Sequence, residues 1–534
     1  MFTTQVAGSY VPLPVLTFAV EYQIFGLNPL PYHISNLIIH LACTLLVFLL
    51  LRLLKLDNLF AAFGALLFGI HPMHVESVAW ITERKDLLYS LFFIASIILY
   101  IYYLNSHKKK LLFYLLSLIL FILSLFSKIT AVTLPLILLL IDYYVERPFR
   151  SNVLIDKIPF FIFSLTFGIA EIILFQRQGV IQTTEIVSIA DQVFLGFYAL
   201  SAYIIKFFAP LQLSAIYPWL YALGHALPLL YYISPLFILF LGFLIYLATR
   251  RNRAILFGSL FFLVNIILIS QVQVMTQGIA FLADRFTYIP YIGLIFIIGW
   301  YIQKIVKNNK DKKIIIFFAM SIVIILFTLQ TFNRCKVWEN GVKLLSDVIE
   351  KYPDQSSRAY YNRGVEYMNM GQSYKATDDY IKAIGIEPKY FDAYLNLGVI
   401  YFLQKNYDKA IEISLQGIKA GAQNPAFYDN LGYFYMDKSD FENSISNFQK
   451  CLQRDDKNFD ATLGLSMVYY YKGNMGYAGT YLDKAKKLEP LLNKGMNGIA
   501  ELEKHRYSFS DKKKATLKRI FDEVKLNGRI KTIN

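Results

Sequence analysis

The chain has 534 residues, of which 56% are hydrophobic and only 17% charged, with a formal net charge of +15. Soluble globular domains carry about 25% charged residues, so this apolar excess excludes a single water-soluble core and requires lipid as part of the solvent. The 44 Phe and 39 Tyr exclude a disordered chain, and the three Cys, with no CxxC or Cys/His cluster, exclude a disulfide scaffold and give no zinc or haem motif. The basic residues fall in short clusters between apolar runs. That pattern writes membrane orientation and argues against a nucleic-acid partner.

In chain order, apolar stretches near 34–54, 58–71, 86–104, 111–126, 129–145, 158–175, 228–248, 254–271, 287–303 and 313–331 read as membrane spans. The stretch 193–209 is ambiguous. The basic loops are Arg52–Lys55, Lys108–Lys110, Arg147–Lys157, Arg250–Arg253 and Lys304–Lys313. If all five face the cytoplasm, the connections around 71–85, 126–129, 176–227 and 272–286 face outward. The alternation closes only if 193–209 is re-entrant or interfacial. Span 313–331 then leaves the cytoplasm and carries everything after it outside. The first 33 residues also fall outside, with no preceding span or signal peptide to deliver them.

After residue 332 the period changes to 34 residues, the spacing of tetratricopeptide repeats. Gly364, Gly398, Gly432 and Ser466 stand at equal steps, in YYNRGVEY, YLNLGVIY, YDNLGYFY and LGLSMVYY. Tyr367, Ala376, Tyr380, Ala383 and Pro388 mark the first repeat, and Tyr469, Ala478, Ala485 and Pro490 take matching places in the last. The second repeat is weaker, with Ser414 and Gly417 at positions that expect Ala or a bulky residue. Stacked repeats bind polypeptides. We expect an all-α protein: a polytopic bundle of about ten spans over 1–331, a connector and half-repeat over 332–357, about four repeats over 358–492, and a C-terminal helix or basic tail over 493–534.

Ionisable groups at or within a membrane are expensive and are functional candidates by default. The densest set is the outward segment from His71 to Asp86, HPMHVESVAWITERKD. A helix beginning near Pro72 would place Glu76, Trp80, Glu83 and Arg84 on one side. A carboxylate there could accept a proton, and Arg84 or Lys85 could hold a phosphate at the bilayer surface. A solvated interfacial helix with routine ion pairs explains the same residues, and the two readings stay open. His71 and His74, followed by Glu76, lack a third His or Cys ligand, so no metal site is expected, although a divalent ion is not excluded. Asp284 and Arg285 form a second outward pair, which either closes on itself or shares a cavity with the first set. Lys128 is a lone outward cation, suited to capping or to attracting phosphate. The loop from Pro210 through Tyr217, Pro218 and Trp219 either shapes a pocket or lines the interface.

The strings HPMHVESVAWITERKDLLYSLFF, SLFSKITAVTLPLILLLIDYY, APLQLSAIYPW and LADRFTYIPYIGL resemble the membrane half of the transmembrane-and-tetratricopeptide-repeat protein O-mannosyltransferases and their bacterial relatives. The early segment YVPLPVLTFAVEYQIFGLNPLPYHISNLIIH is similar to the stretch before that family's second span. The resemblance runs over almost the whole chain and implies the GT-C glycosyltransferase architecture. It also implies sugar transfer from a polyprenyl-phosphate donor to Ser or Thr of an extracytoplasmic protein recruited by the repeats, in a prokaryotic cytoplasmic membrane. Such transfer needs a carboxylate base and cations for the departing lipid phosphate. Arg84, Lys85, Lys128 and Arg285 would be the cations, with His71, His74 and Asp284 in support. No cofactor is required. The family's pattern places an acidic pair outside a first span, whereas residues 1–20 here hold no Asp or Glu and the first acid is Glu21. Either the chain starts after that span or the homologue has lost activity, and Glu21, Glu76 and Asp86 are substitute bases. The rival readings are a non-catalytic membrane scaffold for envelope or secretion assembly, and transfer to a lipid or polysaccharide.

Overall fold

The computed structural model describes residues 10–148, 150–177, 188–218, 227–249, 252–275, 281–505 and 510–531. All regular structure among them is helical. Two compact units divide at residue 355, and each is described on its own.

The first unit holds α1 (Pro12–Phe25), α2 (Pro29–Leu53), α3 (Asn58–Gly69), α4 (Val75–Ala79), α5 (Arg84–Asn105), α6 (Lys110–Ser127), α7 (Leu134–Tyr144), α8 (Ser151–Ile155), α9 (Ile158–Arg177), α10 (Ile189–Phe208), α11 (Leu229–Thr249), α12 (Arg253–Met275), α13 (Tyr291–Asn308), α14 (Lys313–Val337) and α15 (Gly341–Lys351). Six described segments are long and apolar enough to cross a bilayer: 29–53, 81–105, 110–127, 153–177, 229–248 and 313–337. The pair 58–69 and 72–79, bent by 49°, makes a seventh if counted as one broken span. The protein is therefore a multi-pass membrane protein. Several expected spans are shorter than a crossing. Helices α3 and α7 have 12 and 11 residues, which is about 18 Å of helix against about 30 Å of hydrocarbon. Residues 129–133, expected inside a span, form a 3-10 turn before Pro135 starts α7. The ambiguous stretch, 193–209, lies in a helix, α10 (Ile189–Phe208), up to residue 208.

Helix α5 organises the bundle, burying Leu87, Phe93, Ile94, Ile97, Tyr100 and Ile101. Serine hydroxyls fasten it to α6, because hydrocarbon offers no competing water. Ser96 Oγ donates to Ser117 O at 2.8 Å, and Ser124 Oγ to Tyr89 O at 2.9 Å. Helices α12 and α13 cross almost in backbone contact. A Cβ on Gly293 would meet Gly258 O at 2.4 Å, so the small pair sets that approach. On α14, Ile314, Ile315 and Phe318 are exposed, as a lipid-facing surface requires.

The second unit stacks four helix pairs: α16 (Ser357–Asn369) with α17 (Ser373–Ile386), α18 (Phe391–Leu403) with α19 (Tyr407–Lys419), α20 (Ala426–Asp437) with α21 (Phe441–Arg454), and α22 (Phe459–Tyr471) with α23 (Met475–Leu488). Two further helices follow, α24 (Met496–His505) and α25 (Asp511–Lys531). The spaced small residues seat aromatic rings: a Cβ at Gly364 would collide with Tyr380, and one at Gly432 with Phe448. The irregular second repeat has a packing reason. Gly417 leaves room for the buried Phe427 of the next repeat, which a Cβ there would strike at 2.4 Å.

Candidate functional site

Residues 71–86 do not form one helix. His71 caps a 3-10 turn, Pro72–His74, through its Nδ1, which accepts from Met73 N at 3.2 Å. Helix α4 follows, then Trp80 adopts an extended backbone (φ −81°, ψ 108°), then a 3-10 turn at Ile81–Glu83 leads into α5. The break at Trp80 corrects the expected single face. Glu76 and Glu83 turn toward Asp284–Thr287, and Arg84 turns toward α1 and α2.

The two sets, residues 71–86 and 284–285, meet. The Arg285 guanidinium pairs with Glu76, and its backbone N–H donates to Glu76 Oε2 at 3.0 Å. Arg285 Nε also lies 3.6 Å from Glu83 Oε1. Its charge stacks 5.4 Å from the Trp80 ring centroid and 5.0 Å from Phe286. Burial alone would pull the Arg285 pKa down, but Glu76 and then Glu83 outweigh it, so the group stays firmly charged. Lys85 reaches Glu83 at 3.2 Å, and Lys128 pairs with Asp86 while its ammonium sits 5.6 Å from the Phe286 centroid. Three cations from three chain segments thus stand over three acids. The acids are 1–3% exposed, whereas Lys85, Arg285 and Lys128 are 33%, 20% and 14% exposed. Glu83 Oε2 and Asp86 Oδ2 are buried without a hydrogen bond.

Arg84 and Glu21 stand apart from this cluster. Arg84 is 1% exposed; Nη1 pairs with Glu21 Oε2 at 2.6 Å, Nε donates to Asn36 Oδ1 at 2.8 Å, and Nη2 to Tyr32 O at 2.9 Å. The Phe18 ring covers its guanidinium at 4.4 Å. The guanidinium is thus enclosed by protein groups, with Glu21 as its counter-ion. His71 and His74 sit in an aromatic nest, His71 stacked 5.6 Å from Phe207 and His74 hydrogen-bonded to Phe68 O at 2.8 Å. Among the described residues no group of three or more His, Cys, Asp or Glu is arranged for a metal ion.

Asp284 turns away from Arg285. Its Oδ1 accepts from Tyr217 Oη at 2.5 Å, and its Oδ2 lies 3.9 Å from Arg334, which also holds Asp347 at 2.9 Å. Burial raises the Asp284 pKa, opposed by Arg334 and by the Tyr217 hydroxyl. The loop Pro210–Tyr217 thus braces the site from one side, while Trp219 lies outside the described residues. Sequence reasoning passed over Arg334. Its signal was a cation just beyond an apolar span on the side where the positive-inside rule expects few.

Tetratricopeptide repeat models match residues 357–390, 391–422 and 425–458. Over 398 residues the chain is 24% identical to protein O-mannosyl-transferase F38B6.6 of Caenorhabditis elegans, covering 72% of this chain and 54% of that protein. It is also 24% identical over 443 residues to human protein O-mannosyl-transferase TMTC3, covering 76% and 47%. A 93-residue stretch reaches 41% identity with human TMTC2, covering 17% and 11%. Over about three quarters of its length this chain is similar to protein O-mannosyl-transferases. It spans about half the length of the curated relatives it matches over most of its own. Among solved structures, MamA from Desulfovibrio magneticus RS-1 covers 30% of this chain and 90% of its own at 20% identity, with a TM-score of 0.27.

Proposed function

We propose that the protein is an O-mannosyl-type glycosyltransferase, moving a sugar from a polyprenyl-phosphate donor to Ser or Thr of an extracytoplasmic protein. The convergence of Lys85, Lys128 and Arg285 over Glu76, Glu83 and Asp86 carries this reading. Its chemistry needs a base for the acceptor hydroxyl and cations for a departing phosphate, and the cluster supplies both.

The pairing assigns roles. Glu76 is held by both the side chain and the backbone of Arg285 and acts as the post that orients it. Asp86 is the base, because its salt bridge among the described residues is to Lys128. Lys128 is the exchanging cation: a phosphate that draws it away leaves Asp86 charged beside the acceptor. Lys85 and Arg285, whose heads are the most accessible, meet the remaining phosphate oxygens. A monophosphate leaving group places no demand on a metal. The repeats recruit the polypeptide acceptor, and the repeats and the cluster both face outward from a prokaryotic cytoplasmic membrane.

The test is transfer of radiolabelled mannose from polyprenyl-phosphate mannose to a Ser/Thr-rich polypeptide, using membranes that contain the protein. Asp86→Asn is expected to lower transfer by roughly 10²–10⁴-fold, the usual weight of a positioned base, with the amount of folded protein unchanged. Wild-type membranes that neither bind nor turn over the donor would leave the scaffold reading in its place. Label arriving in lipid or polysaccharide instead of polypeptide would move the acceptor to those classes.

A further inference from the structure

Helix α25 comes from the basic tail, and four of its residues make polar contacts with the first helices of repeats three and four. Lys512 Nζ binds Asp437 Oδ1 at 2.9 Å, and Lys513 Nζ binds Asp460 Oδ1 at 3.0 Å. The Lys513 ammonium also sits 4.7 Å from the Tyr433 ring centroid. Tyr471 Oη and Thr516 Oγ1 are 2.6 Å apart, and Tyr470 Oη donates to Glu523 at 3.3 Å. One turn beyond the lysines, Leu517, Ile520 and Phe521 are buried in one apolar cluster with Leu463 and Met467 of α22 and Leu502 of α24. Two lysines followed by an apolar stripe at i+4, i+7 and i+8 form a basic amphipathic helix, and the face beneath it is its complement: acids at one edge, Leu and Met in the middle, tyrosines at the other.

The fit is incomplete at one place. Asp429 Oδ1, on α20, is buried without a hydrogen bond, and its carboxyl faces Asp460 and Lys513. Most buried polar atoms have a hydrogen-bond partner, and α25 leaves Asp429 Oδ1 without one. A solenoid's shared inner face is also where repeats of this kind take up extended or helical polypeptides.

We propose that α25 is a tethered, exchangeable occupant of this face, closing repeats three and four to a basic amphipathic segment of another protein. The occupant it yields to carries paired Lys or Arg ahead of an apolar stripe, with a further donor for Asp429. This stands independently of the sugar-transfer reading, since no residue of the charged cluster in the first unit takes part.

The test uses the full chain in detergent and a fluorescein-labelled peptide of residues 509–531, read by anisotropy. Because Leu517, Ile520 and Phe521 are core residues, the main variant is Lys512→Glu with Lys513→Glu in the intact chain, which leaves the apolar contacts in place. It is expected to speed backbone hydrogen exchange over 511–523 and to bind the peptide at least about tenfold more tightly than wild type, as release of an occupied site requires. A chain ending at residue 508 should bind as tightly, and adding Asp437→Lys with Asp460→Lys should abolish that binding. Any of these results would overturn the proposal: equal binding to wild type and variant, unchanged exchange in α25, or loss of the repeats' helical signal in the double lysine variant. The last would make α25 a permanent cap. A peptide-independent dimer would assign the helix to a second copy and overturn the intramolecular reading.

Discussion

Helix α5 carries a charged network at each end, and the two differ in how their lysines are held. At the Tyr100 end, Asp142 accepts from Tyr100 Oη at 2.8 and 3.0 Å and pairs with Lys157 and Arg147, while Asp156 pairs with Arg147 at 2.7 Å and Lys157 at 2.8 Å. Lys157 is 0% exposed there. At the Arg84 end, the cations of the Glu76–Glu83–Asp86 cluster keep part of their heads in water, and two carboxylate oxygens lack a hydrogen bond. The first network encloses Lys157 completely, keeps Arg147 19% exposed and leaves Asp156 Oδ1 without a hydrogen bond; it ties α5, α7 and the start of α9 together. The other holds buried acids under reachable cations. Every cation of the second is partly exposed, whereas Lys157 at the centre of the first is not.

The sharpest way to break this contrast is Lys157→Met. It leaves Asp142 and Asp156 buried with one cation fewer, and removing one partner of a buried pair costs about 3–5 kcal/mol. Folded protein recovered as a monodisperse peak in detergent is expected to fall severely, while transfer per folded molecule stays at the wild-type level. Wild-type recovery would show that the Tyr100 network is not a staple.

Next in size is Arg84→Ala. If Arg84 held the donor phosphate, transfer would fall while folding persisted. The enclosure by Glu21, Asn36, Tyr32 and Phe18 predicts the reverse, a loss of folded protein through an orphaned Glu21 and emptied contacts. Adding Glu21→Gln to Arg84→Met should recover part of the folded yield, measured by the same detergent chromatography. No recovery would mean that the ion pair is not the reason for the loss.

Lys85→Ala should do the opposite. Its head is one-third exposed and its one ion pair is to Glu83 at 3.2 Å, an arrangement worth about 0–1 kcal/mol to the fold. Folding should be unaffected, and kcat/KM for the polyprenyl-phosphate donor should drop about tenfold, or about 1.4 kcal/mol. Unchanged kcat/KM would remove Lys85 from the phosphate site.

Some of this was legible in the sequence because its cause is local. The 34-residue spacing of Gly364, Gly398, Gly432 and Ser466 reports where two helices of a pair must touch, and the helices lie there. Charge expected on the outward side of the spans singled out Arg84, Lys85, Lys128 and Arg285, and the fold brings the last three together around Glu83, Asp86 and Phe286. What was not legible depends on distant partners. Trp80 breaks the run of residues 71–86 where it packs beside Arg285, 205 residues away, and Trp338, and that break sends Arg84 to Glu21. The late start of α7 did have a signal: Pro135 suits the first turn of a helix and not its middle.

A buried carboxylate oxygen without a hydrogen bond also occurs in the repeats, at Asp429, with a smaller expected effect. Burial raises the Asp429 carboxyl from 3.8 to about 7, reinforced by Asp460 and opposed by Lys513. The folded state therefore holds this proton more tightly than the unfolded chain. Between pH 4 and pH 7 the folded form carries more protons at this site, so its stability contribution falls as pH rises, then levels off above pH 7. Asp429→Asn keeps the shape and removes the titration. The repeats of the full-length variant, followed by hydrogen exchange in α20 and α22, should be more protected than wild type at pH 8 and nearly equal to it at pH 4. The opposite order would mean that Lys513, rather than burial, sets the state of this acid. Asp429 would then be a satisfied partner of α25, on the same footing as Asp142 beneath Lys157.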